Sequence, residues 1–312
     1  MRKLSTLRPL FSHFNQPPAS GLPQTGSPPP LPRRIRGTLP ERRDIRDVRK
    51  VVAVSSAKGG VGKSTIAANL ALAFSRDGWR SGILDMDVFG PSVPTMFGLS
   101  GEPRLSDDNR LLPLTNYGVK TMSMGYLVGE NAPVVWRGLM VTKAIQQLLF
   151  DVDWGGLDVL VLDLPPGTGD AQLTITQMVN LAGAVIVSTP QDVALKDAIK
   201  GIGMFKEVKV PVGLQKSLDA QMFIALQILG MVQNMSVFIC PHCQTATHLF
   251  GAEGVKRTCA IHEIDFLGSV PLHASICEDT DRGKPTMVSE PESPRGQTFM
   301  DLAKAMAVKI GL

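Results

Sequence analysis

The chain has 312 residues, 44% of them apolar and 19% charged, which excludes global disorder; no window approaches the roughly 18–20 uninterrupted apolar residues of a membrane span. The net charge of +4 is unevenly placed: residues 1–50 hold 11 Lys+Arg against 3 Asp+Glu, a net of +8, so the remainder is net −4. A net acidic body argues against nucleic acid as a partner. Four Cys in a chain of this length exclude a disulfide scaffold and favour metal or redox chemistry.

In chain order, residues 1–40 carry Arg2, Lys3, Arg8, Arg33, Arg34 and Arg36 and no acidic residue, and nine of the 23 prolines fall within the first 50 positions. So many prolines oppose a packed helix or strand. Residues 1–15 mix those cations with Leu4, Leu7, Leu10, Phe11 and Phe14 and with hydroxyl residues. An Arg-rich, acid-free amphipathic start has the composition of a mitochondrial transit peptide; a disordered basic tail is the plainer alternative. Residues 1–45 are therefore read as a transit peptide and basic arm, and 46–312 as the folded body.

Val51-Val52-Ala53-Val54 is a β-branched run of the kind that forms a buried parallel strand. It leads into Ser55-Ser56-Ala57-Lys58-Gly59-Gly60-Val61-Gly62-Lys63-Ser64-Thr65 and then a helical apolar pattern from Ile66 to Phe74. Strand, Gly-rich loop, Lys-Ser and helix make a P-loop. Gly59, Gly60, Val61 and Gly62 let backbone N–H groups approach phosphate, and the helix N-terminus adds positive potential. Lys63 is expected on the terminal phosphates of ATP and Ser64 on Mg²⁺, with Thr65 completing the nucleotide-binding set. Ser81–Leu84 ends in Asp85-Met86-Asp87, and Leu157–Leu162 ends in Asp163. Carboxylates at the C-terminal ends of parallel strands lie where ligands bind. Asp87 is the candidate for positioning attacking water, Asp85 for the Mg²⁺ shell, and Asp163 for holding the metal. Gly167, in Pro165-Pro166-Gly167-Thr168-Gly169-Asp170, is the candidate switch glycine. Further strands are expected at 184–187 and 229–232, with a last short strand and exit turn over 266–271. Asn234, at the end of 229–232, has an amide able to pair with an adenine edge. Residues 278–294 read as an ordered loop, and Phe299, Leu302, Ala303, Met306 and Ile310 as the stripe of a C-terminal helix. The alternation of strands and helices gives an α/β, doubly wound, mainly parallel sheet.

The loop departs from the common pattern: Ala57 stands where the first glycine is usual, and a second lysine, Lys58, lies inside it. Lys-Gly-Gly-Val-Gly-Lys-Ser resembles the deviant Walker A ATPases, the MinD, ParA and Mrp class. Asp85-Met86-Asp87-Val88-Phe89-Gly90-Pro91-Ser92, Trp136-Arg137-Gly138, the 165–170 stretch, Thr189-Pro190-Gln191-Asp192, Gln233-Asn234-Met235-Ser236 and Cys240-Pro241-His242-Cys243 narrow the likeness to the Mrp-type iron–sulfur carrier ATPases, over about residues 48–300. The resemblance implies a homodimer in which Lys58 reaches the partner's nucleotide. It further implies a bound 4Fe–4S cluster, delivered to apo iron–sulfur proteins, subunits of respiratory complex I among them. With the arm, it places the chain in the mitochondrial matrix without stable membrane insertion. Leu139 and Ile199 stand where that family has Pro and Arg. Residues 213–228 form an insertion the family lacks, helical in look, read either as a surface loop or as a gene-model artefact such as a retained intron.

All four Cys and four of the five His lie between residues 240 and 277. Cys240 and Cys243 bring two thiolates to one centre, whereas a four-iron cluster takes four. Once the partner-reaching Lys58 is accepted, two chains sharing one cluster is the stoichiometric consequence. The competing reading is zinc held in one chain by Cys240, Cys243, His248 and Cys259. Cys259 and Cys277 are otherwise expected as semi-buried apolar residues. A third reading is a nucleotide-switched positioning protein, which needs a basic DNA face or a membrane-binding C-terminal helix.

Overall fold

The computed structural model describes residues 42–127, 138–207, 209–211, 223–225, 227–240, 242–243 and 245–312. Most of the N-terminal arm, Trp136, Arg137 and most of 213–228 lie outside the described residues.

The elements run β1 (Val48–Ser55), α1 (Lys63–Arg76), β2 (Ser81–Asp85), α2 (Val93–Met96), β3 (Leu114–Asn116), β4 (Val119–Ser123), α3 (Met124–Leu127), α4 (Gly138–Phe150), β5 (Leu157–Asp163), α5 (Asp170–Met178) and β6 (Gly183–Ser188). They continue as α6 (Asp192–Glu207), β7 (Lys209–Pro211), β8 (Phe223–Ala225), β9 (Ile228–Gln233), β10 (Phe238–Ile239), β11 (Ala246–Thr247), α7 (Gly254–His262), β12 (Phe266–Ser269), α8 (Ala274–Asp281), α9 (Thr286–Ser289) and α10 (Pro294–Ile310). Eight strands form one sheet in the order β12-β9-β6-β1-β5-β2-β4-β3. Every pairing in it is parallel except β3 with β4.

Parallel strands covered on both faces are apolar throughout, and the strand period of two splits their side chains between two cores. Val52, Val54, Ile83, Val159 and Val161 pack with α1 and α10. Val51, Ala53, Leu84, Leu160 and Leu162 pack with α4, α5, α6 and α7. The α10 stripe, Phe299, Leu302, Ala303, Met306 and Ile310, is buried against the sheet and α1, so these residues pack on the core. Among the described residues no helix is long and apolar enough to cross a membrane.

Three expectations change. The body begins before residue 46: Ile45 is buried and Arg43 donates its N–H to the Met178 carbonyl at 2.9 Å. Residues 278–294 are about half helical, since they hold the end of α8 and the whole of α9; the polar, Pro-punctuated composition marks the non-helical stretches 282–285 and 290–293. The helical look of 213–228 fails where it is described: Phe223–Ala225 is a strand, antiparallel to Lys209–Pro211 in a ladder of its own. That ladder lies outside the main sheet, and β9 still enters between β6 and β12.

Candidate functional site

The C-terminal ends of β1, β5 and β2 lie side by side, with Val54 opposite Asp163 and Asp163 opposite Asp85. The P-loop leaves β1 there. Gly60 and Gly62 hold φ of +77° and +82°, the left-handed region that glycine enters without strain. Gly62 caps α1 with no side-chain bond to the first-turn N–H groups, which leaves them for an anion. Beyond their chain neighbours, nothing lies within 4 Å of where a Cβ would stand at Gly59 and Gly60, so this part of the loop borders open space. Ala57, in place of glycine, is accommodated by Gly201 of α6, whose Cβ position is 3.5 Å from the Ala57 methyl.

Lys63 is buried and forms an ion pair with the fully buried Asp163; its Nζ also donates to Ser64 Oγ at 3.1 Å. The second oxygen of Asp163 is buried without a partner. Burial raises the Asp163 carboxyl above its ordinary value, while the Lys63 charge pulls it back. An orphaned carboxylate oxygen next to a serine hydroxyl is a donor set that suits a small hard cation, so the residues present fit Mg²⁺.

Asp85, expected in the metal shell, has another task. Its Oδ1 accepts the Asp87 N–H at 3.0 Å, and its Oδ2 accepts the Ser92 N–H at 2.9 Å, the Val93 N–H at 3.1 Å and the Ser123 hydroxyl at 3.1 Å. Both oxygens accept hydrogen bonds, which fix the 86–93 loop and the end of β4 around this carboxyl. Burial, then the charge of Asp163, pushes this carboxyl up to about 7. The loop it anchors presents Asp87, half-buried, whose Oδ1 accepts the N–H groups of Phe89 and Gly90 at 3.3 Å each. Lys58 is exposed at the loop surface, its carbonyl bonded by the Ser56 hydroxyl at 3.0 Å.

Asn234 is buried, and its amide donates to the Val61 carbonyl at 2.8 Å, inside the P-loop. The side chain therefore braces the phosphate loop in this structure, a role the adenine-edge expectation did not include. Four residues further on, β10 and β11 begin a hairpin, and Cys240 and Cys243 stand at its tip. The Cys240 N–H donates to the Thr245 carbonyl at 3.1 Å, and the exposed Cys243 thiol donates to the Thr245 hydroxyl at 3.2 Å. Hydrogen bonds from the Thr245 hydroxyl and backbone, then from the Cys240 thiol, pull Cys243 down to about 7.

The single-chain zinc set is not brought together. Cys259 is buried on α7 with its thiol 3.8 Å from the Asp265 carbonyl, and burial pushes it up to about 11. His248 Nδ1 lies 3.1 Å from the Ser236 carbonyl. Among the described residues no three His, Cys, Asp or Glu side chains converge as metal ligands. Cys277, expected as semi-buried, is exposed on α8.

The family description "ParA: NUBPL iron-transfer P-loop NTPase" matches residues 47–215 and 212–307. The chain belongs to that family. The NUBPL-type match breaks into two segments at the junction where the atypical stretch begins. The iron–sulfur cluster transfer protein NUBPL of Dictyostelium discoideum is 52% identical over 262 residues, which cover 83% of this chain and 76% of that one. The Arabidopsis thaliana iron–sulfur protein required for NADH dehydrogenase, mitochondrial, is 49% identical over 261 residues, 83% of this chain and 78% of that one. Among solved structures, a nucleotide-binding protein from Archaeoglobus fulgidus in complex with ADP is 36% identical, with a TM-score of 0.66 over 81% of this chain and 93% of its own.

Two contributors escaped the reading of the motifs: Ser123, which holds Asp85, and Gln172, buried at the start of α5 with bonds to Ser55, Ser56 and Pro165. Gln172 lies two residues past the 165–170 stretch, and its type and spacing carry no motif signal; only its burial in the folded chain reveals it.

Proposed function

We propose that this protein is an ATP-hydrolysing carrier of iron–sulfur clusters that works as a homodimer in the mitochondrial matrix and delivers its cluster to apo-proteins, complex I subunits among them. The cluster is cargo. Two thiols per chain at a hairpin tip are half of what a 4Fe–4S cluster takes, so Cys240 and Cys243 of two chains hold one cluster between them. Cys243, already drawn towards thiolate by Thr245, is the readier ligand, because the thiolate is the form that binds metal.

At the nucleotide site, Lys63 leaves Asp163 for the terminal phosphates, and the α1 N-terminus and Gly59–Gly62 backbone hold the rest. Mg²⁺, when bound, neutralises phosphate charge; Ser64 and Asp163 would hold it, and Asp85 keeps the neighbouring loop in place. Asp87 orients the attacking water, and Lys58 extends to the nucleotide of the partner. Hydrolysis yields ADP and phosphate.

The observation that carries this reading is the Asn234–Val61 hydrogen bond. It ties the P-loop to the strand end that leads directly into the cysteine hairpin, so a change in the loop on nucleotide binding has a covalent path of six residues to Cys240. The basic arm supports import to the mitochondrion, as its composition fits a transit peptide. The test is transfer from the anaerobically loaded protein to an apo iron–sulfur acceptor, followed by circular dichroism, with and without Mg–ATP. Transfer that responds to nucleotide in the wild type and loses that response in Asn234→Ala is the expected result. Transfer indifferent to nucleotide in the wild type contradicts it.

A further inference from the structure

The Ser56 carbonyl, at the root of the P-loop, accepts two hydrogen bonds: one from the Gly167 N–H at 2.9 Å and a longer one from Gln172 Nε2 at 3.4 Å. Ser56 and Gln172 are both about 1% exposed. The same Nε2 donates to the Pro165 carbonyl, and the Gln172 Oε1 accepts the Ser55 hydroxyl at 3.3 Å. One buried amide therefore holds the end of β1 and the beginning of the 165–169 segment together, with both its N–H groups and its oxygen engaged.

Gly167 is placed differently. Its φ is +99°, and nothing lies within 4 Å of where a Cβ would stand. It has the conformational freedom and the space to turn. To present its N–H to a terminal phosphate, it must leave the Ser56 carbonyl. That carbonyl is buried beyond reach of bulk water, and a buried acceptor left without a partner is strongly unfavourable.

We propose that Gln172 is the positioning residue of the nucleotide switch. It keeps Pro165 fixed, and its second N–H closes on the Ser56 carbonyl as Gly167 turns away, so that the hinge lies between Pro165 and Gly167. The amide never touches nucleotide; it acts through Gly167. Its effect is confined to ligands that carry the terminal phosphate, because ADP gives Gly167 no reason to move. This rests on the nucleotide reading above and specifies how ATP is told from ADP.

The test compares wild type, Gln172→Met, which keeps length and burial but makes no hydrogen bond, and Gln172→Glu, which keeps the acceptor and loses the donors. Binding of Mg–ADP and of a non-hydrolysable Mg–ATP analogue is measured by calorimetry, with kcat and KM for hydrolysis. Both variants are expected to keep ADP affinity within about twofold and to bind the analogue about tenfold more weakly, the loss set by one orphaned buried carbonyl, with kcat falling alongside. Should the Gln172 variants fail to fold, Ser55→Ala frees the amide to rotate, and a smaller loss in the same direction, again sparing ADP, is expected. Equal loss of ADP and analogue, or no loss of either in a wild type that binds both, overturns the proposal alone. A wild type that binds neither nucleotide overturns the nucleotide reading and the proposal with it.

Discussion

Asp85 and Asp163 sit directly opposite each other on adjacent parallel strands, both fully buried, with one lysine, Lys63, paired to the second of them. Two carboxylates and one cation in a dry site are an arrangement short of one positive charge. In the proposed nucleotide-bound state the Mg²⁺ ion would supply that charge beside Asp163; without it, the push on Asp85 is towards the protonated form.

The pH dependence follows in sign. Burial, reinforced by Asp163, raises Asp85 from 3.8 to about 7. Between those values the folded chain binds more protons than the unfolded one, so the stability contributed by this carboxyl is fully present below about pH 4 and is lost as pH rises through about 7. Thermal melts from about pH 5 to about pH 8 should show the gain in melting temperature given by saturating Mg–ADP growing as pH rises, since the cation replaces the proton. A gain that stays flat across that range counts against the charge balance described for this pair.

Replacing Lys63 with Met removes the cation for phosphate and strands Asp163. Nucleotide binding should vanish, and the apo fold should lose ~3 kcal/mol, the range for breaking a buried ion pair. Lys63→Met combined with Asp163→Asn should recover most of that stability and none of the binding. Urea unfolding of the three proteins checks this; a double variant no more stable than the single one would show that the pair is not the source of the loss.

Gly62 is fixed by two constraints. Its φ is +82°, and a Cβ there would stand 2.1 Å from the Asn234 amide nitrogen. Gly62→Ala should therefore cost about 1–3 kcal/mol and abolish nucleotide binding. Asn234→Ala makes room but leaves the backbone strain, so the double variant should resemble Gly62→Ala rather than the sum of the two. Strict additivity in calorimetric unfolding would place the two residues out of contact.

Cysteine reactivity should follow the environments of the thiols. Cys243, at about 7, should be alkylated first by iodoacetamide at neutral pH, and Cys259, buried and pushed up to about 11, last. Thr245→Val removes the hydroxyl that draws Cys243 down and should slow its modification severalfold. Mass spectrometry of timed digests reads the order; Cys259 reacting ahead of Cys243 would refute it.

The P-loop strand and helix were legible because the β-branched run, the glycines and the 3.6-residue apolar pattern agree at every level. The ends of β2 and β5 were legible for the same reason, as apolar runs stopped by Asp. What remained hidden is tertiary. Nothing in the sequence around Asp85 shows that both its oxygens are spent on backbone N–H groups and Ser123, because those partners come from a loop and from β4. Gln172 and Thr245 are ordinary polar residues until burial and the hairpin turn give them partners. The helices at 274–281 and 286–289 were missed because both are short, and their polar faces carry no sustained apolar period.

The central claim is that two chains share one cluster through Cys240 and Cys243. It is tested most directly by reconstituting the protein anaerobically with iron and sulfide, then measuring mass in solution, iron and acid-labile sulfide on the same fraction. The account predicts a brown particle of dimer mass holding about four iron and four sulfide per two chains, lost in the Cys240→Ala, Cys243→Ala double variant. A monomer that retains a full cluster, or a colourless protein that takes up stoichiometric zinc instead, would contradict it.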